Sequence, residues 1–299
     1  MKEKDHAKLS YSFTMRSISP SDAHPYSFSR FYKNSTAVIS FVIFSLICLA
    51  CVFAPLLTKW NYAEINMPDR LSLPSFSHIL GTDRLGRDMF SRLLYGGRAT
   101  LRIAFISTGA AAFIGGTLGL AAGYFKGWVD LIISPVLDIL SAIPLILLAL
   151  VIEGILGYGR GYFMYAIIIG AIPQFAHLAR ASTINVINRL YCEAARALGV
   201  SHLGIIRGHV LHHIAPLLVI RFASAVAESI LTCTVFGYLD IGIRPPIPEW
   251  GNIVYSAKDA ILTMPQLTII PCAVIAVSVI SVNLFSDGLR DALDFNHIM

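Results

Sequence analysis

Three long runs of uncharged, mostly apolar residues constrain the fold of this chain more than any other feature. Thr36 to Leu57 contains 22 residues without a charge, Ile103 to Phe125 contains 23, and Leu267 to Phe285 contains 19. A helix of about 20 apolar residues crosses the hydrocarbon core of a bilayer. Charged residues make up 14% of the chain, against about 25% in soluble domains. The sequence therefore predicts an all-α, polytopic membrane protein.

Three further runs are predicted to cross the membrane, although a charge or a proline interrupts each of them: 131–152, 162–178 and 214–239. This gives six spans. The predicted organisation is a polar tail at 1–35, a first span at 36–57, a loop with an interfacial helix at 58–99, a membrane core at 100–286 that includes a polar segment at 179–213, and a short tail at 287–299.

Charge and cysteine usage exclude several functional classes. The formal net charge of +5 is spread over the tail and loops, so it does not indicate nucleic-acid binding. Lys and Arg on the two sides of the predicted spans nearly balance, which leaves the orientation open. Four of the five cysteines lie in spans, so no disulfide framework is expected. The sequence contains no phosphate-binding loop, HExxH motif or nucleophile elbow, so no catalytic residues, no metal site and no enzyme activity are predicted.

The polar segment 179–213 is predicted to form two short amphipathic helices. Apolar residues follow helical spacing in both, and Gly199 and Ser201 fit the end of the first helix and the cap of the second. The stripe of the first helix comprises Tyr191, Ala194, Ala195 and Leu198, and that of the second Leu203, Ile206 and Val210. Spacing alone leaves two interpretations open: a hairpin that packs on the chain's own spans, or a lever that docks on another protein.

The sequence Glu193-Ala194-Ala195, followed by Gly199, resembles the EAA loop of ABC importer permeases. This resemblance implies a cytoplasmic coupling loop that contacts an ATPase subunit, with both termini cytoplasmic for six spans. The implied coupling residues are Glu193, Ala194, Ala195, Gly199, Ser201 and Leu211. His212 follows Leu211 where the family has proline. The histidines of this segment are predicted to be solvated surface residues.

A second motif, residues 80–96, resembles the signature LGTDxLGRDxxSRLxYG of the C-type permease in the dipeptide, oligopeptide and nickel family. The implied extracytoplasmic residues are Gly81, Thr82, Asp83, Gly86, Arg87 and Asp88, together with Trp250 from a later match at 245–251. Physically, Thr82 or Asp83 is predicted to cap an interfacial helix that carries Leu85, Met89 and Leu93 on one face, pairs Asp88 with Arg92, and ends at Gly96-Gly97. A purely structural brace is an equal alternative.

Further matches at 238–242 and 287–294 extend the resemblance to the end of the chain. Asp240 stands where the family usually has glycine, and Cys233 where glutamate is common. The resemblance implies an ABC importer permease fold and a permease core at 100–286. It also implies a bacterial inner-membrane location and partnership with a second homologous permease, two ATP-binding subunits and an extracytoplasmic solute-binding protein. No cofactor is expected on this chain; ATP and Mg²⁺ are expected on the partner ATPases.

The predicted function is therefore one permease of an ATP-driven, binding-protein-dependent importer of di- or oligopeptides. The alternative is the same architecture importing nickel, a metallophore or another small solute. An intramembrane structural or assembly protein is the alternative from a different class.

Three charged residues inside predicted spans are candidates for the translocation path: Asp138, Arg221 and Glu228. Ionisable residues at membrane depth are costly and point to function by default. Mutual or backbone pairing remains an alternative for them. A Glu228 that faces the path would favour cationic or zwitterionic substrates. Gly115, Gly119 and Gly123 are predicted to serve helix packing.

Overall fold

The computed structural model describes residue 32 and residues 34–158 and 161–293. Within these residues, five helices are long and apolar enough to cross a membrane, and a bent pair of helices is a sixth candidate. The main helices are α1 (Ser35–Val52), α2 (Met89–Phe125), α3 (Gly127–Ala142), α4 (Leu145–Leu156), α5 (Phe163–Ile187), α6 (Leu190–Ala197), α7 (His202–Ile205), α8 (Leu211–Tyr238), α9 (Trp250–Ala257) and α10 (Gln266–Leu293). A one-turn helix, Ala54–Leu57, follows α1. The predicted all-α polytopic fold is confirmed, and most of the predicted 1–35 tail lies outside the described residues.

Small residues let α2 and α5 pack at close range. A Cβ added at Gly119 would lie 2.1 Å from the carbonyl oxygen of Ala176, and one added at Gly123 would lie 2.7 Å from that of Arg180. Gly115 makes a similar approach four residues earlier. From one contact to the next, the glycine on α2 and its partner residue on α5 both advance by four residues, so α2 and α5 run parallel. The predicted packing role of the three glycines is confirmed.

The bent pair α3–α4 must cross the membrane. The two helices meet at 91° across residues 143–144, where the residue before a proline is disfavoured in helical conformation. Together they follow α5 backwards: Asp130 accepts from Arg180 near one end, and Glu153 accepts from the Phe163 N–H at the other. Because α2 and α5 run parallel, the chain between them has to return to the starting side. The pair is therefore one broken span, which gives the six predicted spans.

Both ends of the described chain lie on the side where α8 begins. Ser286, near the end of α10, donates to the carbonyl oxygen of Ile220 in the first part of α8 at 3.1 Å. At the start of α1, the Ala37 side chain fills the space in front of Gly288. The α6–α7 segment, which precedes α8, lies on this same side.

Several helices extend beyond the predicted spans. α2 begins 14 residues before Ile103, α5 continues to Ile187, and α10 continues to Leu293. Hydropathy falls in these extensions because they contain polar residues. The helices continue because these polar side chains have partners inside the protein; Arg180, for example, pairs with Asp130. At the start of α2 a capping residue, Asp88, and not the edge of the apolar run sets the helix end.

Candidate functional site

The pair α6–α7 lies at the end of the molecule where α5 stops and α8 begins. Gly199, at φ +77°, closes α6 in a Schellman motif. The Val200 N–H donates to the Ala195 carbonyl at 3.1 Å and the Gly199 N–H to the Arg196 carbonyl at 3.0 Å. Ser201 then caps α7, its Oγ accepting a backbone N–H three residues later at 3.2 Å. The predicted pair of short helices with a tight turn is confirmed.

One face of this pair is anchored on the ends of α2, α5 and α8. Cys192 and Ala195 are buried in a cluster that includes Tyr124, Val186, Ile187, Ile205, Val210 and Ile214. Burial raises the pKa of the Cys192 thiol, so the thiol stays protonated and packs as a small apolar group. The predicted apolar stripe is partly wrong: Cys192 takes the inward position, while Ala194 and Leu198 are exposed.

The opposite face is open. Leu198 is 84% exposed at the turn, and Leu190 and Leu203 are also exposed. Glu193 and Ala194 lie on this open side as well. We call these five residues the outward face. A capped, ordered turn that presents large apolar side chains beyond the spans is typical of a docking surface.

A π-helical turn, Ile206–Val210, joins α7 to α8. Its wider period rotates the chain, so Val210 is buried while Leu203 is exposed. The shared face predicted for Leu203, Ile206 and Val210 is therefore wrong. Leu211 begins α8. Turns of this kind inside helices occur frequently at functional sites.

The sequence predicts that the histidines of this segment are solvated. Three of them instead pack against aromatic rings near the π-helical turn. His202 Nδ1 lies 2.9 Å from Tyr124 Oη. The rings of His209 and His213 lie 5.6 and 5.7 Å from the ring of Tyr191. In the part of the chain that the structure describes, no group of three or more potential metal ligands occurs.

The motif at 80–96 lies at the other end of the spans, and its first part folds into a compact loop. Asp83 Oδ1 accepts the N–H groups of Leu85 and Arg87 at 2.8 and 3.0 Å, and its Oδ2 accepts Arg87 Nε at 2.7 Å. Asp88 caps α2, accepting the Ser91 N–H at 2.7 Å. The loop therefore fixes the position where α2 begins.

Both glycines of this loop have positive φ, +77° at Gly81 and +72° at Gly86. A Cβ at Gly86 would lie 1.7 Å from the carbonyl oxygen of Asn66. Thr82 Oγ1 accepts the Ser72 N–H at 2.9 Å. The motif thus ties the preceding loop to the N-terminus of α2, which favours the structural-brace alternative.

The interfacial helix predicted here is wrong in its start, its end and its ion pair. Residues 82–88 are not helical, because Asp88 is the cap and α2 starts at Met89; Leu85 is therefore outside the helix. Asp88 contacts His78 Nδ1 at 2.9 Å, whereas Arg92 lies nearest to Asp83 at 3.5 Å.

The predicted stop at Gly96-Gly97 is a close helix contact instead. A Cβ at Gly97 would lie 2.7 Å from the ring of Trp250. Trp250 is fully buried, and its Nε1–H donates to the Leu93 carbonyl at 3.0 Å. The implied site residue Trp250 is thus a brace between α9 and α2.

Sequence reasoning missed Glu249, which caps α9 and is 0% exposed. Its Oε1 accepts from Thr100 Oγ1 at 3.0 Å and from the Gly251 N–H at 2.9 Å, and its Oε2 accepts the Asn252 N–H at 3.1 Å. Burial raises the pKa of this carboxyl group, and the hydrogen bonds offset part of that rise. Glu249 and Asn252 form a capping box, but their residue types depart from the usual Ser/Thr-x-x-Glu/Gln signature, so the sequence carried little indication of it.

The three charged candidates within the spans lie on one polar face formed by α3, α5 and α8. Arg221 Nη1 and Nη2 each donate to one oxygen of Glu228 at 2.9 Å, and Arg221 Nη2 also donates to Gln174 of α5. Asp138 lies 3.5 Å from His177 Nε2. The side chains of Glu228 and Asp138 are 56% and 68% exposed.

The residues that complete this face were not singled out from the sequence. Gln174, His177 and Arg180 follow one another at three-residue steps on α5, and Arg180 makes two hydrogen bonds to Asp130 at 2.5 Å. The polar spacing after Pro173 was the available indication. We call Asp130, Asp138, Gln174, His177, Arg180, Arg221 and Glu228 the polar face.

Comparison with known proteins gives concordant matches. Residues 115–296 match the model of the binding-protein-dependent transport system inner membrane component family. Residues 26–74 match the N-terminal transmembrane domain of oligopeptide transport permease C.

Two relatives match most of the chain. A dipeptide transport system permease protein of Alkalihalophilus pseudofirmus is 37% identical over 89% of this chain and 88% of its own. A glutathione transport system permease protein of Pectobacterium atrosepticum is 37% identical with the same coverage. The inward-facing MetNI methionine ABC transporter has the same fold, with a TM-score of 0.57 at 20% identity over 69% of this chain and 98% of that one.

Proposed function

The chain belongs to the binding-protein-dependent transport system inner membrane component family, and from this premise we propose that it carries di- or oligopeptides across the membrane. It is a multi-pass permease subunit of an ABC importer, so the structural or assembly protein is not retained. The relatives described above are named for dipeptides and for glutathione, itself a small peptide. Import of nickel or a metallophore is therefore not favoured.

The outward face on α6–α7 is the observation that supports a role of this segment in coupling to an ATPase. In this proposal it seats in a partner ATPase, which holds ATP and Mg²⁺. Leu198 is 84% exposed beside a turn fixed by a Schellman motif, so docking needs little ordering of the chain. The segment leads through the π-helical turn directly into α8, which lets its displacement move a span.

The proposed assembly contains a second homologous permease, two ATP-binding subunits and an extracytoplasmic solute-binding protein. The outward face is assigned to the cytoplasm, and because both ends of the described chain lie on the same side, both termini are assigned there as well. Asp138, Arg221 and Glu228 are assigned to the translocation path. A lipid-facing position would leave Glu228 and Asp138 exposed to hydrocarbon, which is costly.

Affinity capture of the tagged chain from mild detergent tests the coupling role, with Leu198→Glu as the variant and Leu262→Glu as the control. Leu262 is 95% exposed in the connection before α10, at the opposite end of the spans, so neither substitution disturbs the core. We expect wild type and Leu262→Glu to recover ATPase subunits and a second permease. Leu198→Glu is expected to keep the permease and lose the ATPases.

Equal recovery of ATPases by both variants would refute the docking surface. Recovery of the wild-type chain alone would refute the assembly.

A further inference from the structure

The two members of the Arg221–Glu228 ion pair on the polar face are held in place to different degrees. Arg221 donates to Gln174 and to both oxygens of Glu228, and its guanidinium carbon lies 5.8 Å from the centroid of the Phe175 ring. Arg221 is 21% exposed and Glu228 56%. Among the described residues, the Glu228 carboxylate hydrogen bonds to Arg221 alone. The guanidinium is therefore fixed by α5, while the carboxylate is its replaceable partner.

The two terminal nitrogens of Arg221 form a fork that binds both oxygens of one carboxylate. This planar, bidentate arrangement is the geometry by which arginine recognises carboxylates in general. A free carboxylate of the same shape fits the fork as well as Glu228 does. Once displaced, the exposed Glu228 carboxylate is an acceptor for a cation.

Resting on the peptide-import function above, we propose that Arg221 binds the C-terminal carboxylate of a short peptide in the membrane-embedded path. Glu228 occupies this fork when the path is empty and binds the peptide's N-terminal ammonium when it is displaced. The substrate class is thus short peptides with both termini free.

Charge balance supports this exchange. The empty path holds one ion pair, and the loaded path holds two, so no charge is left unpaired at membrane depth, where an unpaired charge is costly. The spacing also permits it. The two charged groups touch in the empty state, but their α-carbons lie seven residues apart, about 10.5 Å along the helix. A Glu228 side chain that swings away from Arg221 therefore opens a gap comparable to an extended di- or tripeptide, which spans about 7–10 Å. An amidated or acetylated peptide leaves one member of the pair without an opposite charge.

The test is equilibrium binding of radiolabelled dialanine, dialanine amide and N-acetyl-dialanine to the purified importer complex in nanodiscs, without solute-binding protein. The variants are Arg221→Gln, Glu228→Gln and the exchange Arg221→Glu/Glu228→Arg. Arg70→Gln, at an exposed loop position, is the control.

We expect wild type and Arg70→Gln to bind dialanine about tenfold more tightly than its amide, because a charge-assisted bidentate contact is lost. Arg221→Gln removes this preference, and the exchange variant does not restore it. Glu228→Gln raises the affinity for N-acetyl-dialanine above that of wild type, because the fork is no longer occupied.

A purely structural ion pair gives different results. The exchange variant would then bind all three probes as wild type does, and Glu228→Gln would leave the affinity for N-acetyl-dialanine unchanged. Either result overturns the inference, as does the absence of dialanine binding to wild type. The import function is judged separately, by ATP-dependent uptake with the solute-binding protein present, so failure of one is distinguishable from failure of the other.

Discussion

At the scale of residues, the same amino acid serves different purposes along one helix. Gly109 and Gly119 both lie in α2, but a Cβ at Gly109 meets nothing within 4 Å, whereas one at Gly119 would lie 2.1 Å from a backbone carbonyl. The i, i+4, i+8 spacing of the glycines allowed their packing role to be predicted from the sequence. Their partner helix was not predictable, because the contacts with Ala176 depend on the tertiary fold.

Gly119→Ala is expected to lower the free energy of unfolding by about 1–3 kcal/mol, because the backbone of α5 must move to admit the methyl group. Gly109→Ala is the control and is expected to keep or slightly raise stability, since alanine favours the helix. Thermal unfolding of the detergent-purified variants measures both. Equal melting temperatures for the two would contradict the close α2–α5 contact.

The buried carboxyl group of Glu249 is expected to make the stability of the fold depend on pH. Burial raises its pKa in the folded protein, so folding favours the protonated form. Its contribution to stability is present at low pH and is lost as the pH rises from the ordinary glutamate pKa through the raised value. We expect the melting temperature of wild type to fall over this range.

The change with pH is expected to be smaller in Glu249→Gln, and Glu64→Gln, at an exposed loop position, serves as the control with an unchanged slope. An identical slope in wild type and Glu249→Gln would show that this carboxyl group does not titrate as inferred.

Asp240 shows what the family pattern could and could not predict. Glycine is usual at this position, and the structure gives Asp240 a φ of +59°, a conformation that costs most residues other than glycine energy. The resemblance identified the residue at this position as unusual. The positive φ of the backbone, which the sequence does not reveal, explains why the family usually has glycine here. The pairing of Arg221 with Gln174 was likewise invisible, because the two residues lie on different helices.

At the scale of elements, local capping was more predictable than helix length. Gly199 and Ser201 were placed correctly from the sequence because caps depend on neighbouring residues alone. The interfacial helix at 82–97 was wrong because apolar spacing continued across a loop that side-chain hydrogen bonds hold open, with Asp83 accepting from Leu85 and Arg87. The π-helical turn, Ile206–Val210, also escaped prediction, since it changes the period within an apolar pattern.

Gly199→Ala is expected to weaken coupling without unfolding the spans. The added methyl group meets no atom within 4 Å, so the cost, about 1–2 kcal/mol, comes from the positive φ. Gly109→Ala, where a Cβ also meets nothing and φ is not positive, is the matched control.

Peptide-stimulated ATP hydrolysis by the reconstituted complex is expected to fall in Gly199→Ala and to stay near wild type in Gly109→Ala, while the spans of both variants remain folded. Unchanged hydrolysis in Gly199→Ala would contradict the role of the turn in coupling.

At the scale of the whole molecule, hydropathy predicted six spans. The parallel packing of α2 and α5 supports this count, because the chain between them has to cross back. The broken span α3–α4 could be counted but its 91° bend could not be foreseen. The polar face forms only when α3, α5 and α8 come together, so the sequence could nominate its charged members without their partners.

Peptide import by this permease is tested most directly by ATP-driven accumulation of a labelled dipeptide in proteoliposomes that contain the captured complex, with solute-binding protein and ATP supplied on their respective sides. We expect accumulation against a gradient by wild type and by Leu262→Glu, and none by Leu198→Glu or without ATP. Accumulation that survives Leu198→Glu, or that does not require ATP, would contradict this expectation.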